Sequence, residues 1–101
     1  MEPTTDPPHA LSAIREDIDR LDTRMLDIMV ERLALARSTL DVKRENGLYP
    51  IDGRREAEVV RRGATLARER GLEPELVREI FWRVIELSKR AYDADHAATL
   101  P

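Results

Sequence analysis

Six apolar residues in the first third of this sequence recur at alternating spacings of three and four: Leu11, Ile14, Ile18, Leu21, Met25 and Ile28. This spacing places an apolar stripe along one face of an α-helix. Neither Pro nor Gly interrupts the chain between residue 10 and Gly47, so the pattern predicts one helix from about residue 10 to about residue 45. At 1.5 Å per residue the helix would be about 50 Å long. The rest of a 101-residue chain cannot cover it, and pairing with a second copy is the simplest remedy.

The segment after this helix, NGLYPIDG at positions 46–53, is rich in turn-forming residues. A second helix is predicted from near Asp52, a suitable N-cap, to Gly71, a suitable residue just beyond a helix end. A third is predicted over about residues 74–94, with Pro74 in its first position. No segment alternates with the period of a β-strand, so the predicted fold class is all-α.

The two ends of the chain differ from the segment between them. The first ten residues contain three of the six prolines, and we interpret residues 1–10 as a disordered lead-in. The predicted helical domain occupies residues 11–95, and residues 96–101 are expected to form a flexible tail. The sequence thus indicates one small domain.

Composition excludes several kinds of function. Seventeen Lys and Arg are interleaved with twenty Asp and Glu, giving a net charge of −3, which argues against a nucleic-acid partner. The absence of Cys excludes disulfides, a thiolate nucleophile and Cys-ligated zinc. His9 and His96 lie near opposite ends, too isolated for a metal site or a catalytic base. No apolar run approaches about 18 residues, and no secretory signal opens the chain, so we expect a cytoplasmic protein without a membrane partner.

Three basic residues beside the apolar stripe of the first helix are candidates for binding an anion. Arg32 and Lys43 are eleven residues apart, which returns them to within about 20° of one direction at about 16 Å along the axis. Arg15 lies seventeen residues before Arg32, about 25 Å away, too far for both to grip one small ligand. In an antiparallel pair of such helices, Arg15 of one subunit can approach the Arg32 and Lys43 end of the other.

The start of the second helix offers a further cluster, in the sequence DGRRE at positions 52–56. One interpretation is a Glu56 that stabilises the helix dipole beside a surface Arg55. The other is a pocket with several cations for an anionic ligand and one acceptor for a hydroxyl or an ammonium. A helix N-terminus favours anions, which suits a carboxylate-binding pocket.

The third helix places two hydroxyl groups on its apolar face. The stripe of Val77, Ile80, Phe81, Val84 and Ile85 continues by helical steps to Ser88, Ala91 and Tyr92. Lys89 and Arg90, between them, are expected to point outward.

Several motifs in combination resemble the all-α class of chorismate mutases. They are L-x-x-[IL]-R-x-x-I-x-x-[IL]-D, then E-R with Lys eleven residues after the Arg, then D-x-x-R-E, then I-F-x-x-[IV]-I-x-x-S. Each motif alone is weak, whereas all of them in order and at these spacings, over about residues 11–92, are specific. The resemblance implies a Claisen rearrangement of chorismate to prephenate, in which an ether C–O bond breaks as a C–C bond forms. Such a reaction requires no cofactor, metal, nucleophile or proton transfer.

The resemblance also implies a quaternary structure and a set of site residues. It implies an intertwined homodimer of three-helix subunits in which Arg15 reaches into the partner's site. The residues serving their own subunit's site would be Arg32, Lys43, Asp52, Arg55, Glu56 and Ser88. The arginines would hold the two substrate carboxylates, Lys43 would reach the ether oxygen, and Ser88 would assist a carboxylate. Glu56, with the backbone at Asp52, would bind the ring hydroxyl.

One position departs from the family pattern. The family's bacterial enzymes usually have Gln four residues after this Ser, as a donor to the ether oxygen opposite the Lys, and this sequence has Tyr92. Three interpretations follow. Tyr92 replaces Gln as the donor, making Lys43, Tyr92 and Arg32 the catalytic set. Alternatively, the site takes 4-amino-4-deoxychorismate, whose ammonium would pair with Glu56, as in pathways to aminophenylalanine-derived antibiotics. In the third, Tyr92 packs at a helix end of a weak or structural homologue.

Two other functions fit the same residues. An isochorismate pyruvate-lyase would share the fold. A non-catalytic helical dimerisation module would use the first helix as an interaction surface, with the basic residues as rim charges.

Overall fold

The computed structural model describes residues 7–97, which form three helices: α1 (Pro7–Glu45), α2 (Gly53–Glu69) and α3 (Pro74–Ala97). No strand occurs in this part of the chain, which confirms the predicted all-α class with a long first helix. Helix α1 begins three residues before the predicted start, and α3 ends three residues after the predicted end. Residues 1–6 of the predicted lead-in and residues 98–101 of the predicted tail lie outside the described residues.

The ends of α1 and α2 are fixed by the same arrangement, with glycine just beyond the helix. Gly47 and Gly71 have φ of 67° and 72°, a left-handed conformation that favours glycine. The Leu48 amide donates to the Lys43 carbonyl at 2.8 Å, and the Leu72 amide donates to the Ala67 carbonyl at 2.9 Å. These bonds satisfy carbonyls that the helix leaves open, as in a Schellman motif. The prediction of Gly71 as a helix-terminating residue is confirmed.

The starts of α2 and α3 are also set locally. The Asp52 carboxylate accepts a hydrogen bond from the Arg55 amide at 3.1 Å, so Asp52 is the N-cap, as predicted. Pro74 occupies the first position of α3, where its missing N–H removes no helical bond. The Glu73 carboxylate accepts from the Leu76 amide at 2.8 Å and caps that helix.

The chain divides into two units, residues 1–32 and residues 33–101. In the second unit, α2 packs against α3 through a stripe of small residues at helical spacing: Val60, Gly63, Ala64 and Ala67. On α3, Ile85 and Ser88 are buried, whereas Ile80, predicted to lie on the same stripe, is 58% exposed. A Cβ at Gly63 would lie 2.6 Å from the ring of Phe81, so only glycine lets that ring rest on the α2 backbone.

The first unit contains the described part of α1 up to Arg32. Its predicted apolar stripe is present but uncovered in the single chain, with exposures from 45% at Leu11 to 58% at Met25 and Ile28. None of the described helices combines the length and apolar character needed to cross a bilayer.

Candidate active site

A cavity of about 350 Å³ lies in the second unit. Its wall comes from the first turn of α2 and the middle of α3: Glu56, Trp82, Arg83, Ile85, Glu86 and Lys89. Within the described part of the chain, Glu56 is the predicted site residue that lines it. The wall combines an apolar floor at Ile85 with two acidic and two basic side chains, a composition that suits a small polar ligand.

Glu56 and Lys89 form an ion pair between α2 and α3. The Lys89 Nζ lies 2.7 Å from Glu56 Oε2, and the Glu56 side chain is only 20% exposed. Lys89 is exposed, as predicted, but its ammonium is directed toward α2, because Lys89 lies four residues after the buried Ile85. Arg90 is 78% exposed and pairs with Glu86 on its own helix, so the outward orientation predicted for Arg90 is confirmed.

The first turn of α2 orients the predicted cluster. The Asp52 carbonyl accepts a hydrogen bond from the Glu56 amide at 3.0 Å, in addition to the side-chain cap on Arg55. The Arg55 guanidinium pairs with Glu58 one turn onward, and its side chain is 62% exposed. Such an exposed pair contributes little to stability, so Arg55 can exchange Glu58 for another anion at small cost.

Lys43 lies in the last turn of α1, within the second unit. Its ammonium donates a hydrogen bond to the Pro50 carbonyl at 3.4 Å, and the side chain is half-buried. The contact joins the end of α1 to the loop that leads to Asp52. At this length the hydrogen bond is weak, so the ammonium can transfer to a better acceptor.

Ser88 and Tyr92 lie on the inner side of α3. Ser88 is 9% exposed, and its hydroxyl donates to the Val84 carbonyl at 3.1 Å. The Tyr92 hydroxyl donates to Asp41 Oδ1 at 3.3 Å, and its ring stacks on His96 with centroids 3.7 Å apart. Both hydroxyls therefore face inward, as the apolar stripe predicted.

The surroundings of Tyr92 keep its phenol protonated. Burial raises the pKa of the Tyr92 hydroxyl above its usual 10.0, and the Asp41 carboxylate adds to the rise while Arg44 opposes it. A phenol that stays protonated at neutral pH remains a hydrogen-bond donor.

The remaining predicted residues, Arg15 and Arg32, belong to the first unit of the chain. Arg15 is exposed and Arg32 is half-buried on α1. In the second unit, the structure brings Asp52, Arg55 and Glu56 together in one helical turn. Within the described residues, no group of three or more His, Asp or Glu side chains is placed to hold a metal ion.

Sequence reasoning missed several residues that contact the predicted set, among them Lys89, Asp41 and His96. Lys89 and His96 each follow an inward-facing residue of α3 by four positions, so the helical period indicated both. Asp41 had no such pattern, because its contact with Tyr92 spans 51 residues of sequence.

Comparison with known proteins identifies the family. The family profile described as "Chorismate mutase type II" matches residues 14–92. The chain belongs to the chorismate mutase type II family. The matched range contains all eight residues predicted to bind substrate and ends at Tyr92.

Two relatives illustrate how far the similarity extends. A protein named chorismate mutase from Methanocaldococcus jannaschii is 30% identical over 79 residues, covering 78% of this chain and 80% of that protein. A T-protein from Enterobacter agglomerans is 32% identical over 78 residues, covering 77% of this chain. The chain spans about a fifth of that T-protein's length (21%). No solved structure matches the chain significantly.

Proposed function

We propose that this protein is a chorismate mutase that converts chorismate to prephenate. The observation that carries the proposal is the family match over residues 14–92, which contains every cation and hydroxyl the reaction would use. Membership of the family supports an isomerase of this kind, and so does the relative from Methanocaldococcus jannaschii, which is named chorismate mutase and matches over 80% of its length.

The proposed reaction requires the protein to restrict the substrate's conformation and to stabilise charge in the transition state. The rearrangement is intramolecular, so the protein must hold a compact conformer and stabilise the negative charge that develops on the ether oxygen. Arg15, Arg32 and Arg55 would hold the two carboxylates, since a guanidinium binds a carboxylate through two parallel hydrogen bonds. Lys43 and Tyr92 would donate to the ether oxygen from opposite sides, and Ser88 would support a carboxylate.

The ring hydroxyl of chorismate would bind at the first turn of α2. Glu56 is held there by the Asp52 cap and is mostly shielded from water, so its carboxylate is a well-placed acceptor. Arg55 beside it would hold a substrate carboxylate after releasing Glu58. The two interactions would orient the ring between α2 and α3.

The proposal includes a homodimer in which Arg15 completes the partner's site. The exposed stripe of α1 supports it, because six large apolar side chains at helical spacing remain uncovered in one chain. Burying them against a second copy would contribute about 1.5 kcal/mol or more for each side chain. The seventeen-residue separation of Arg15 and Arg32 supports a contribution from the partner.

A second substrate deserves direct comparison. Glu56 accepts from the Lys89 ammonium at 2.7 Å, and a ligand ammonium would have to displace Lys89 to take the same position. Because a carboxylate such as Glu56 can accept from an ammonium, 4-amino-4-deoxychorismate is the competing candidate.

The deciding experiment measures kcat/KM for chorismate and for its 4-amino analogue on the purified protein, with the product identified by mass and NMR. We expect prephenate from chorismate, with the higher kcat/KM for chorismate. Rearrangement of neither compound would contradict the proposal and favour the non-catalytic dimerisation module. Release of pyruvate from isochorismate would indicate the lyase instead.

A further inference from the structure

Lys89 is a cavity-wall residue that pairs with a proposed substrate-binding group, although the proposed reaction gives Lys89 itself no role. Its ammonium contacts the carboxylate proposed to bind the ring hydroxyl, at 2.7 Å. The Lys89 side chain is 46% exposed, and its pairing crosses from α3 to α2. Most other ion pairs of α3 instead join residues three or four apart on the same helix.

The other charges of the wall already have partners. Arg83 pairs with Glu86 at 3.0 Å, and Arg90 approaches the same carboxylate at 3.4 Å. Glu86 thus pairs with two arginines, while Glu56 pairs with Lys89. The charge on Glu56 is therefore balanced before any ligand arrives.

A balanced carboxylate discriminates between a hydroxyl and an ammonium. A carboxylate has about four lone-pair positions, so Glu56 can keep Lys89 on one oxygen and accept from a hydroxyl with the other. A ligand ammonium at the same place would lie close to the Lys89 ammonium, and like charges at such a distance repel. The ligand would have to displace Lys89 or bind beside it.

Resting on the proposed function, we propose that Lys89 is a specificity-determining residue. It neutralises Glu56 and so makes the site select a substrate with a ring hydroxyl over one with a ring ammonium. Lys89 contacts Glu56, the carboxylate proposed to bind the ring hydroxyl, and it is not proposed to contact the bonds that break and form. Its effect appears in the ratio of kcat/KM for the two substrates rather than in one rate alone.

The test replaces Lys89 with Met, which keeps the apolar stem and removes the charge. We expect the ratio of kcat/KM for the 4-amino analogue to that for chorismate to rise about tenfold in Lys89→Met. Lys89→Arg keeps the charge and should leave the ratio within about twofold of the wild type. Arg90→Met is the matched control, because it removes the neighbouring exposed cation that pairs with Glu86 instead.

Each outcome decides the inference. An unchanged ratio in Lys89→Met, or an equal change in Arg90→Met, would overturn it. A wild-type protein that prefers the 4-amino analogue would also overturn it, while leaving the proposed rearrangement in place. A wild-type protein that acts on neither compound would overturn both. Circular dichroism and Tm identify a variant that fails to fold, in which case Lys89→Gln takes its place.

Discussion

The hydroxyl of Tyr92 on α3 donates its hydrogen bond to Asp41 on α1, at 3.3 Å. Two further groups converge on the same Asp41 oxygen, Arg44 at 3.5 Å and the His96 ring at 3.9 Å. A phenol has a single hydrogen to donate, so Tyr92 cannot serve Asp41 and a substrate ether oxygen at once. If Tyr92 is the donor proposed to replace the family's Gln, Asp41 competes with the transition state for its hydrogen.

Tyr92→Phe tests whether that donor acts in catalysis. Removing one donor to a developing oxyanion typically costs about 100-fold or more in rate, so we expect kcat for chorismate to fall by about this factor. The phenylalanine ring keeps the stack on His96, and Tm should change little. A kcat within about threefold of the wild type would favour the interpretation that Tyr92 only packs at the helix end.

Asp41→Asn tests the competition itself. A hydrogen bond to a neutral amide oxygen is about half as strong as one to a carboxylate, so the hydroxyl is released more easily. We expect kcat/KM for chorismate to rise about threefold in Asp41→Asn. In the double variant, Asp41→Asn should leave kcat/KM the same as in Tyr92→Phe alone. Asp95→Asn is the control, because Asp95 carries the same charge on the same helix as Tyr92 and pairs with Arg37 on α1. A fall in kcat/KM would show that Asp41 assists Tyr92 instead.

The raised pKa of Tyr92 predicts a loss of stability at alkaline pH. Burial raises this pKa above 10.0, so the unfolded chain releases the phenolic proton first. The unfolded state then binds fewer protons than the folded state, and the free energy of unfolding falls as pH rises through 10 toward the folded pKa. Tyr92→Phe should lack this part of the loss.

The variant Tyr49→Phe permits a direct measurement of the Tyr92 pKa, because the chain has two tyrosines and Tyr92 is then the remaining one. Its tyrosinate absorbance should titrate with a midpoint above 10.0 in the folded protein. A midpoint at or below 10.0 would contradict the burial of the hydroxyl.

Mixing two inactive variants tests the shared site. Arg15→Ala and Lys43→Ala should each abolish most activity, since each removes a cation from both sites of a homodimer. Subunit exchange at equal amounts gives half heterodimers, each with one intact site, so about a quarter of the wild-type activity should return. Activity that stays absent after exchange, or a monomer at micromolar concentration, would contradict the proposal of a site built from two chains.

Two helix caps offer a matched pair of substitutions. Asp52→Ala and Glu73→Ala each remove a side-chain acceptor from a helix start, and the loss of such a cap costs about 1 kcal/mol. We expect both to lower Tm, while only Asp52→Ala raises KM, because Arg55 and Glu56 lie in the turn that Asp52 caps. If Asp52→Ala and Glu73→Ala have the same KM for chorismate, the first turn of α2 does not bind substrate.

Gly63→Ala tests the packing of α2 on α3. Alanine favours a helix interior over glycine by about 1 kcal/mol, but its Cβ would lie 2.6 Å from the Phe81 ring. Overpacking of this kind costs about 1–3 kcal/mol, so the free energy of unfolding should fall by up to about 2 kcal/mol net. Gly53→Ala is the control, since no atom approaches a Cβ at that glycine. Denaturation in urea measures both, and Phe81→Leu should relieve the cost at Gly63.

The fold was predictable where its determinants are local. Asp52, Gly71 and Pro74 each act on their own turn of the backbone, and each terminates or starts a helix where the sequence indicated. The first helix starts at Pro7 instead of residue 10, because proline is tolerated in a first helical turn. Residues 95–97 continue α3 because no glycine or proline stops it there.

The candidate site was predictable only in part. Glu56, Arg55 and Asp52 share one turn, so their proximity follows from sequence alone. The pairing of Glu56 with Lys89, and of Tyr92 with Asp41, depends on how separate helices pack, and spacing along one helix cannot reveal the partner. The contribution of Arg15 from a second chain remains a prediction.

The contact of Phe81 with Gly63 also fixes how far α3 is shifted along α2, and so which residues meet at the cavity. Glu56 lies seven residues before Gly63, and Lys89 lies eight after Phe81, so along antiparallel helices both are displaced in the same direction, by about 10 Å and 12 Å. Sliding α3 by one helical turn, about 5.4 Å, would carry the ammonium out of reach of the carboxylate. The contact of Phe81 with Gly63, a residue without a side chain, thus fixes the helix register that brings Lys89 to Glu56 two turns away.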